Sequence, residues 1–366
     1  NLVVPTINPD HVFGGVSTAL NFYNRLASQL GFDTRIIVEF EEPSREAIKL
    51  YKNNYKFISS KIDSNETHTI VPYVVRKGET LPVCDKDYFV FTAWWGAYLV
   101  QEAYGTFIEE TGIEPNKFIY LIQDYEPGFY PWSSKYILAD STYRCKYPQI
   151  GVFNSSILKD FFTGKDYEFS DTFSFEPVFN QSLKEELLAL PNKINKKKQI
   201  LVYGRPGVAR NAFEVVVATL NKLIDNMENP SEWTFYSAGE EHLPVKLHKD
   251  MELVSLGKLS LAEYAKVLSE SYAGLSLMVS PHPSYPPLEM AAYGIRVVTN
   301  GYDNKDLKRF SDFLTSVKAP SPKTLSEALL NICSSYTPEV ALVKTGNEYL
   351  DTTDAFNIVK DIAEVL

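Results

Sequence analysis

Along the chain, short runs of apolar residues alternate with stretches in which apolar residues return every three or four positions. The first pattern reads as buried strands and the second as amphipathic helices. In order, "NLVVPTI" is a strand, Val16 to Leu30 a helix closed by Gly31, and "TRIIVEF" a strand. "YFVFTAWW" reads as a strand and Ala97 to Tyr104 as a helix. "KFIYLIQD" is a strand leading into the aromatic loop "YEPGFYPW", and "QIGVFNS" is a strand before a helix from Ser156 to Phe162. The segment Asp171 to Lys198 breaks the rhythm and carries the basic run "NKINKKK", read as a solvated linker. Beyond it the alternation restarts: strand "QILVYG", helix Asn211 to Asn226, strands "WTFYSAG" and "MELVSLG", and helix Leu261 to Ser271. Strand "AGLSLMVS", helix Pro286 to Tyr293, strand "RVVTN" and closing helices to Leu366 complete it.

Alternation of this kind predicts an α/β chain of two Rossmann-like, doubly wound domains with parallel sheets. The boundary falls inside the irregular segment, at 180/181. In open sheets of this class ligands bind beyond the carboxyl ends of the strands, so the expected site is a cleft where two such sheets face each other. Every loop of interest should therefore follow a strand.

The totals agree. A length of 366 residues exceeds one ordinary core. With 45% hydrophobic and 22% charged residues the chain is globular. Its net charge of -10 lacks the basic face that nucleic acid requires. Cys84, Cys145 and Cys333 are far apart, which disfavours a structural zinc and fits a reduced, cytoplasmic setting. No apolar run approaches about 18 residues, so no membrane span is expected. Because the first residues already read as a strand, the sequence points to a longer native N-terminus.

Five loops carry candidate chemistry. In "LVYGRPGVARN" a strand ends at Gly204, and Arg205 stands at its tip. The glycine spacing fits neither a phosphate loop of the Walker type nor a dinucleotide fingerprint, but a guanidinium there suits a diphosphate. In "LVSLGKLSLAEY" a strand ends at Gly257, Lys258 follows, and Ser260 with Glu263 forms a capping box that starts the next helix. If the two strands are neighbours, both cations serve one anion. In "SPHPSYPPLEMAAYG", Pro286 and Pro287 suit a first helical turn, and Glu289 shares a helix face with Tyr285 and Tyr293. A carboxylate there either complements the helix dipole or accepts hydrogen bonds from sugar hydroxyls. Gly14 and Gly15, between the first strand and helix, allow close approach of backbone N–H groups to a ligand. Asp124 and Glu126 sit among aromatics after "YLIQ", as sugar ligands, as a general base, or as parts of an inward-packed loop. Asp85-Lys86-Asp87 imitates a metal-binding Asp-x-Asp pair, yet it precedes a strand and reads as a polar turn.

Together these stretches resemble the two-domain GT-B glycosyltransferases of family 4, over nearly the whole chain. "YLIQDYEPGFYPWSSKYILADSTY" with "SPHPSYPPLEMAAYG" narrows the resemblance to the rhamnosyltransferases of S-layer glycan assembly, which use dTDP-L-rhamnose. The resemblance implies that Arg205 and Lys258 hold the donor diphosphate, with no metal or other cofactor. It implies that Glu289 binds the nucleotide ribose, that Tyr285 lies near the phosphates, and that Gly257, Gly14 and Gly15 belong to the donor site. Asp124 and Glu126 fall on the acceptor side. The last residues, 346–366, resemble the helix that returns to the first domain, leaving 1–180 and 181–345 as the two bodies. Partners follow from the same likeness: a nucleotide-sugar donor and a rhamnan-type, lipid-linked glycan acceptor, handled at the cytoplasmic face of the membrane. One departure stands out. The family pattern places an earlier Glu where this chain has Pro281, followed by His282. That acid contacts the transferred sugar, so its loss favours a deoxysugar over a hexose. UDP- or GDP-sugar donors, a sugar-nucleotide epimerase and a non-catalytic glycan-binding relative are the competing readings.

Overall fold

A computed structural model describes residues 1–12, 14–59, 66–73, 83–346 and 348–366. The chain divides into two compact units, Asn1–Phe175 with Ala355–Leu366, and Glu176–Asp354. The expected boundaries lay at 180/181 and 345/346.

The first unit runs β1 (Leu2–Val4), α1 (Gly14–Leu30), β2 (Thr34–Val38), α2 (Arg45–Tyr51), β3 (Lys56–Phe57), β4 (His68–Pro72), β5 (Val90–Phe91) and α3 (Trp94–Thr111). It continues with β6 (Phe118–Ile122), α4 (Ser134–Tyr143), β7 (Gln149–Phe153), α5 (Ser156–Thr163) and β8 (Asp171–Ser174). Its strands form one parallel sheet in the order β3-β4-β2-β1-β5-β6-β7-β8. The order reverses at β1/β5, which is the topological switch point of a doubly wound sheet. Every residue of β6 and β7 is buried, because helices cover both faces. On α1 the buried positions Ala19, Phe22, Tyr23 and Leu26 follow a helical period and face that core.

The second unit runs α6 (Gln181–Ala189), β9 (Lys193–Asn195), β10 (Lys197–Gly204), α7 (Phe213–Asn226), β11 (Thr234–Gly239), β12 (Val245–Lys246), β13 (Glu252–Gly257) and α8 (Leu261–Glu270). Then come β14 (Ser271–Leu275), α9 (Tyr285–Ala292), β15 (Arg296–Asn300), β16 (Leu314–Val317), α10 (Pro322–Ser334), β17 (Glu339–Ala341) and α11 (Glu348–Asp351). The sheet order is β12-β13-β11-β10-β14-β15-β16, parallel except for β12 at one edge. Here the switch point is β10/β14. The final helix, α12 (Val359–Val365), buries Val359 and Ile362 in the core of the first unit.

Several expectations need correction. Trp94 and Trp95 begin α3 rather than ending a strand, and α1 starts at Gly14, so the glycine pair lies in a helical first turn. Both shifts have one cause: an apolar run cannot show by itself where a strand gives way to a helix. The run "NKINKKK" is no solvated linker. It forms β9 and the start of β10, and Lys196 between them is 2% exposed. The Lys196 Nζ donates to Leu268 O at 2.8 Å and Tyr293 O at 2.7 Å, at the C-terminal ends of α8 and α9. Burial, with Arg296 nearby, holds its ammonium down to about 7, and the amine satisfies two helix-end carbonyls. Strand "AGLSLMVS" is also shorter than read, since β14 ends at Leu275 and the rest turns out of the sheet.

Candidate functional site

In the second unit, three neighbouring strands finish in glycine at the carboxyl edge. Gly204 of β10 pairs with Gly239 of β11, and Ala238 of β11 pairs with Gly257 of β13. Gly204 has no alternative: a Cβ there would stand 2.0 Å from Ser237 Oγ. Gly257 adopts φ +63, which releases Lys258 out of the strand direction. β10 and β13 are not neighbours, so the condition under which the two cations were read as serving one anion is not met directly. β11 lies between them and sets Arg205 and Lys258 at strand tips about 10 Å apart. Arg205 is half-buried and Lys258 exposed. The intervening tip is Gly239, and the acids that follow it line the same edge: Glu240 Oε2 accepts from Gly207 N–H at 3.1 Å, and Glu241 Cβ lies 3.6 Å from where a Cβ on Gly257 would stand.

The loop after β10 and the loop after β14 flank the switch point and are tied together. Val279 N–H donates to Arg210 O at 2.7 Å, and Asn211 Nδ2 donates to Leu277 O at 3.0 Å. The β14 loop then enters α9. Pro286 and Pro287 open that helix, as expected, but they also remove two of its free N–H groups. Side chains must supply what the backbone cannot. Ser284, just before the helix, holds φ +70, a strained conformation for a residue with a Cβ. Its hydroxyl is buried and has no hydrogen-bond partner among the described residues. His282 is buried, and its Nδ1 accepts from Ser284 N–H at 3.0 Å, which puts the ring proton of the neutral form on Nε2.

Glu289 lies half-buried on α9. Burial pushes its carboxyl up to about 7, against a hydrogen bond from Tyr264 that holds it down. The Tyr264 hydroxyl, on α8, donates to Glu289 Oε2 at 3.1 Å. The capping box read from the sequence is present, Glu263 N–H to Ser260 Oγ at 3.3 Å, and it fixes the start of the helix that carries Tyr264. Tyr285 feels the same carboxylate, and burial raises its hydroxyl to about 12. Tyr264 and Ser284 were missed in the sequence because their importance lies in which element they meet, not in local pattern.

In the first unit, Gly15 O accepts from Gln123 Nε2 at 2.9 Å, which joins the start of α1 to the tip of β6. Asp124 follows that tip and its Oδ1 accepts from Tyr125 N–H at 2.8 Å. Gly14, Gly15 and Asp124 are thus brought to one edge. Glu126 is not. It is buried, and its Oε2 accepts from Trp94 N–H at 2.8 Å, Tyr143 Oη at 3.1 Å and Tyr120 Oη at 3.4 Å. Burial pushes its carboxyl up to about 8, while the bonds from Tyr143, Trp94 and Tyr120 oppose that shift. Glu126 caps α3 from a distant loop, and the acceptor-side reading of this residue is withdrawn. Asp87 is a fold element too, bonded to Arg35 at 3.1 Å and Cys84 N–H at 3.0 Å.

Comparison with known proteins follows the same lines. Residues 1–156 match the family described as "WsaF, N-terminal domain" and residues 198–330 match "WsaF, C-terminal domain". The O-antigen biosynthesis protein RfbC of Myxococcus xanthus is 28% identical over 295 residues, covering 79% of this chain and 21% of that protein. The chain thus spans about a fifth of that relative's length. Among solved structures, sucrose-phosphate synthase from Thermosynechococcus elongatus superposes with a TM-score of 0.53 at 10% identity, covering 100% of this chain and 94% of that one. WaaG, a glycosyltransferase involved in lipopolysaccharide biosynthesis, gives a TM-score of 0.51 at 11% identity, covering 100% and 99%. Such distant likeness speaks for the fold, and the two family matches, one in each unit, speak for descent: the chain belongs to the WsaF family of glycosyltransferases and has the GT-B fold.

Proposed function

We propose that the chain transfers L-rhamnose from dTDP-L-rhamnose to a growing bacterial surface glycan of the S-layer type, with retention of configuration and without a metal. The supporting observation is the carboxyl edge of the second sheet: Arg205 and Lys258 each directly after a strand-ending glycine, with Glu289 on the helix that follows the switch-point loop. As the bond from sugar C1 to the β-phosphate oxygen breaks, charge accumulates on the leaving diphosphate. Arg205 and Lys258 stabilise that charge, Ser284 Oγ and the Tyr285 hydroxyl add donors where Pro286 and Pro287 remove backbone ones, and Gly257 keeps the approach open. The two side-chain cations supply the positive charge for which other glycosyltransferases recruit a metal ion. Glu289 holds the pentose. Its Oε2 already accepts from Tyr264, so among the described residues one carboxylate oxygen is left without a side-chain donor. A single pentose hydroxyl satisfies it, the number a 2′-deoxyribose offers on that edge, which supports thymidine over uridine or guanosine. Asp124, with Gly14 and Gly15, belongs to the acceptor side of the other unit. The acceptor is read as lipid-linked and the enzyme as acting at the cytoplasmic membrane face. Among the described residues no helix is long and apolar enough to cross a membrane.

Calorimetric titration with dTDP, UDP, GDP and NAD in excess EDTA tests this reading. Tight binding of dTDP alone is the expected result. Preference for UDP or GDP overturns the donor, and binding of no nucleotide overturns the transferase reading in favour of a glycan-binding relative.

A further inference from the structure

Two ties join α8 to α9 in the second unit. In the first, the Tyr264 hydroxyl donates to Glu289 Oε2 at 3.1 Å. The second lies one helical turn further along both helices, at Leu268 and at Tyr293. There the Lys196 Nζ donates to Leu268 O at 2.8 Å and to Tyr293 O at 2.7 Å, so a single atom spans the two helix ends. The lysine is fixed from behind. Its backbone N–H donates to Pro338 O at 2.7 Å, and its carbonyl accepts from the Tyr336 hydroxyl at 2.7 Å. Gly294, at φ +76, lets the chain leaving α9 pass close to the lysine stem; a Cβ there would stand 3.9 Å from Lys196 Cε. An amine is costly to bury where an apolar side chain would fill the same space. The charge that acts on this one is another cation, Arg296, so attraction to an acid does not account for it. What an apolar filler cannot do is bond two helix ends at once.

We propose that Lys196 is a positioning residue of the donor site: by clasping α8 to α9 one turn beyond Tyr264 and Glu289, it keeps the tyrosine hydroxyl on the carboxylate and so sets which pentose is preferred. The preference rests on the reading of Glu289 as the pentose ligand; the clasp stands on the geometry of the chain alone. Helix α8 has 10 residues and α9 has 8, so neither is stable by itself and their separation is set by what they are bonded to. The bond from Tyr264 to Glu289 is already 3.1 Å long, and hydrogen bonding is lost by about 3.6 Å. A shift of roughly half an ångström between the helices therefore breaks it. Without Lys196, Leu268 O and Tyr293 O lose this donor and the helix ends move apart to reach water. Once Tyr264 leaves, Oε2 is free to accept a second pentose hydroxyl, and a ribonucleotide gains on a deoxyribonucleotide.

The test uses the whole chain with isotopically labelled glutamate, its carboxyl resonances followed by NMR across pH, with Glu289→Gln to assign the signal. Lys196→Met keeps the length of the side chain and removes the donors. In it the Glu289 midpoint should rise by roughly half a pH unit or more, because the Tyr264 bond that holds it down is lost. Tyr264→Phe should give the same rise, and adding Lys196→Met to it should give none further. In calorimetric titrations with dTDP and UDP, Lys196→Met should shrink the preference for dTDP by up to about tenfold, again with no addition in the Tyr264→Phe background. A lysine that only stabilises the fold would lower Tm and leave the Glu289 midpoint where it is, and that result overturns the proposal. An additive rise in the double variant overturns it as well. Lys196→Gln, with its N–H donors on a shorter stem, serves if the methionine variant does not fold: a smaller rise is expected, and an unchanged midpoint is equally fatal. If the wild type binds neither nucleotide, the donor reading fails while the Glu289 midpoints still decide the clasp.

Discussion

Glu289 is raised to about 7 by burial and is touched by one tyrosine hydroxyl, and both properties can be measured. A carboxyl whose folded pKa exceeds its unfolded value binds extra protons when folded, so its contribution to stability is present below about 4.5 and is lost as pH rises through about 7. Glu289→Gln should therefore flatten the fall of Tm across that window relative to wild type, by differential scanning calorimetry at a series of pH values. An unchanged profile would contradict the burial of this group. Tyr264→Phe frees Oε2 for a second hydroxyl, and the preference for dTDP over UDP should shrink by roughly tenfold by calorimetry. At the strand tips, Arg205→Ala and Lys258→Ala should each lower kcat by ~10²–10³-fold while the melting profile stays as in wild type, because neither side chain belongs to a core. Wild-type turnover in either variant would sink the assignment. Sequence made Arg205, Lys258 and Glu289 visible because each sits at a marked place: after a strand-ending glycine, or just inside a proline-opened helix. Ser284 and Tyr264 had no such mark.

At the scale of single elements, the decisive contacts cross long stretches of chain. Helix α3 has no capping side chain next to it; Ala93 precedes it and the cap comes from Glu126. Helices α8 and α9 end on Lys196, which is far from both in sequence. Local capping was legible where cap and helix are contiguous, as at Ser260 and Glu263. It was illegible where a loop or a strand from elsewhere performs it. Glu126→Ala leaves the Trp94 N–H, Tyr120 and Tyr143 without their shared acceptor, and should cost about 2 kcal/mol of stability in the first unit. Denaturant melts followed by tryptophan fluorescence would detect it, and a loss near zero would restore Glu126 to the list of ligand-facing acids.

For the molecule as a whole, the chain ends where it began, in the first unit. Val359 and Ile362 of α12 are buried in its core, and Lys117 Nζ donates to Val365 O at 2.8 Å. Deleting residues 355–366 should remove about 1.5–3 kcal/mol for each buried side chain and lower the melting of the first unit, while dTDP binding by the second persists. The sequence by itself determined the class of fold, through alternation of two periodicities, and the strand-tip positions of Arg205, Lys258 and Asp124, since a ligand in a parallel sheet lies beyond strand ends. It also determined the start of α8 and the prolines of α9. Strand order was left to tertiary structure, because parallel strands join through crossovers and no local signal says which strand becomes a neighbour. Hence β11 between Arg205 and Lys258, Tyr264 on Glu289, and the burial of Glu126 and Lys196 had to await packing. Each depends on contact between residues distant in sequence, where composition and period carry no information and the free energy of burial decides.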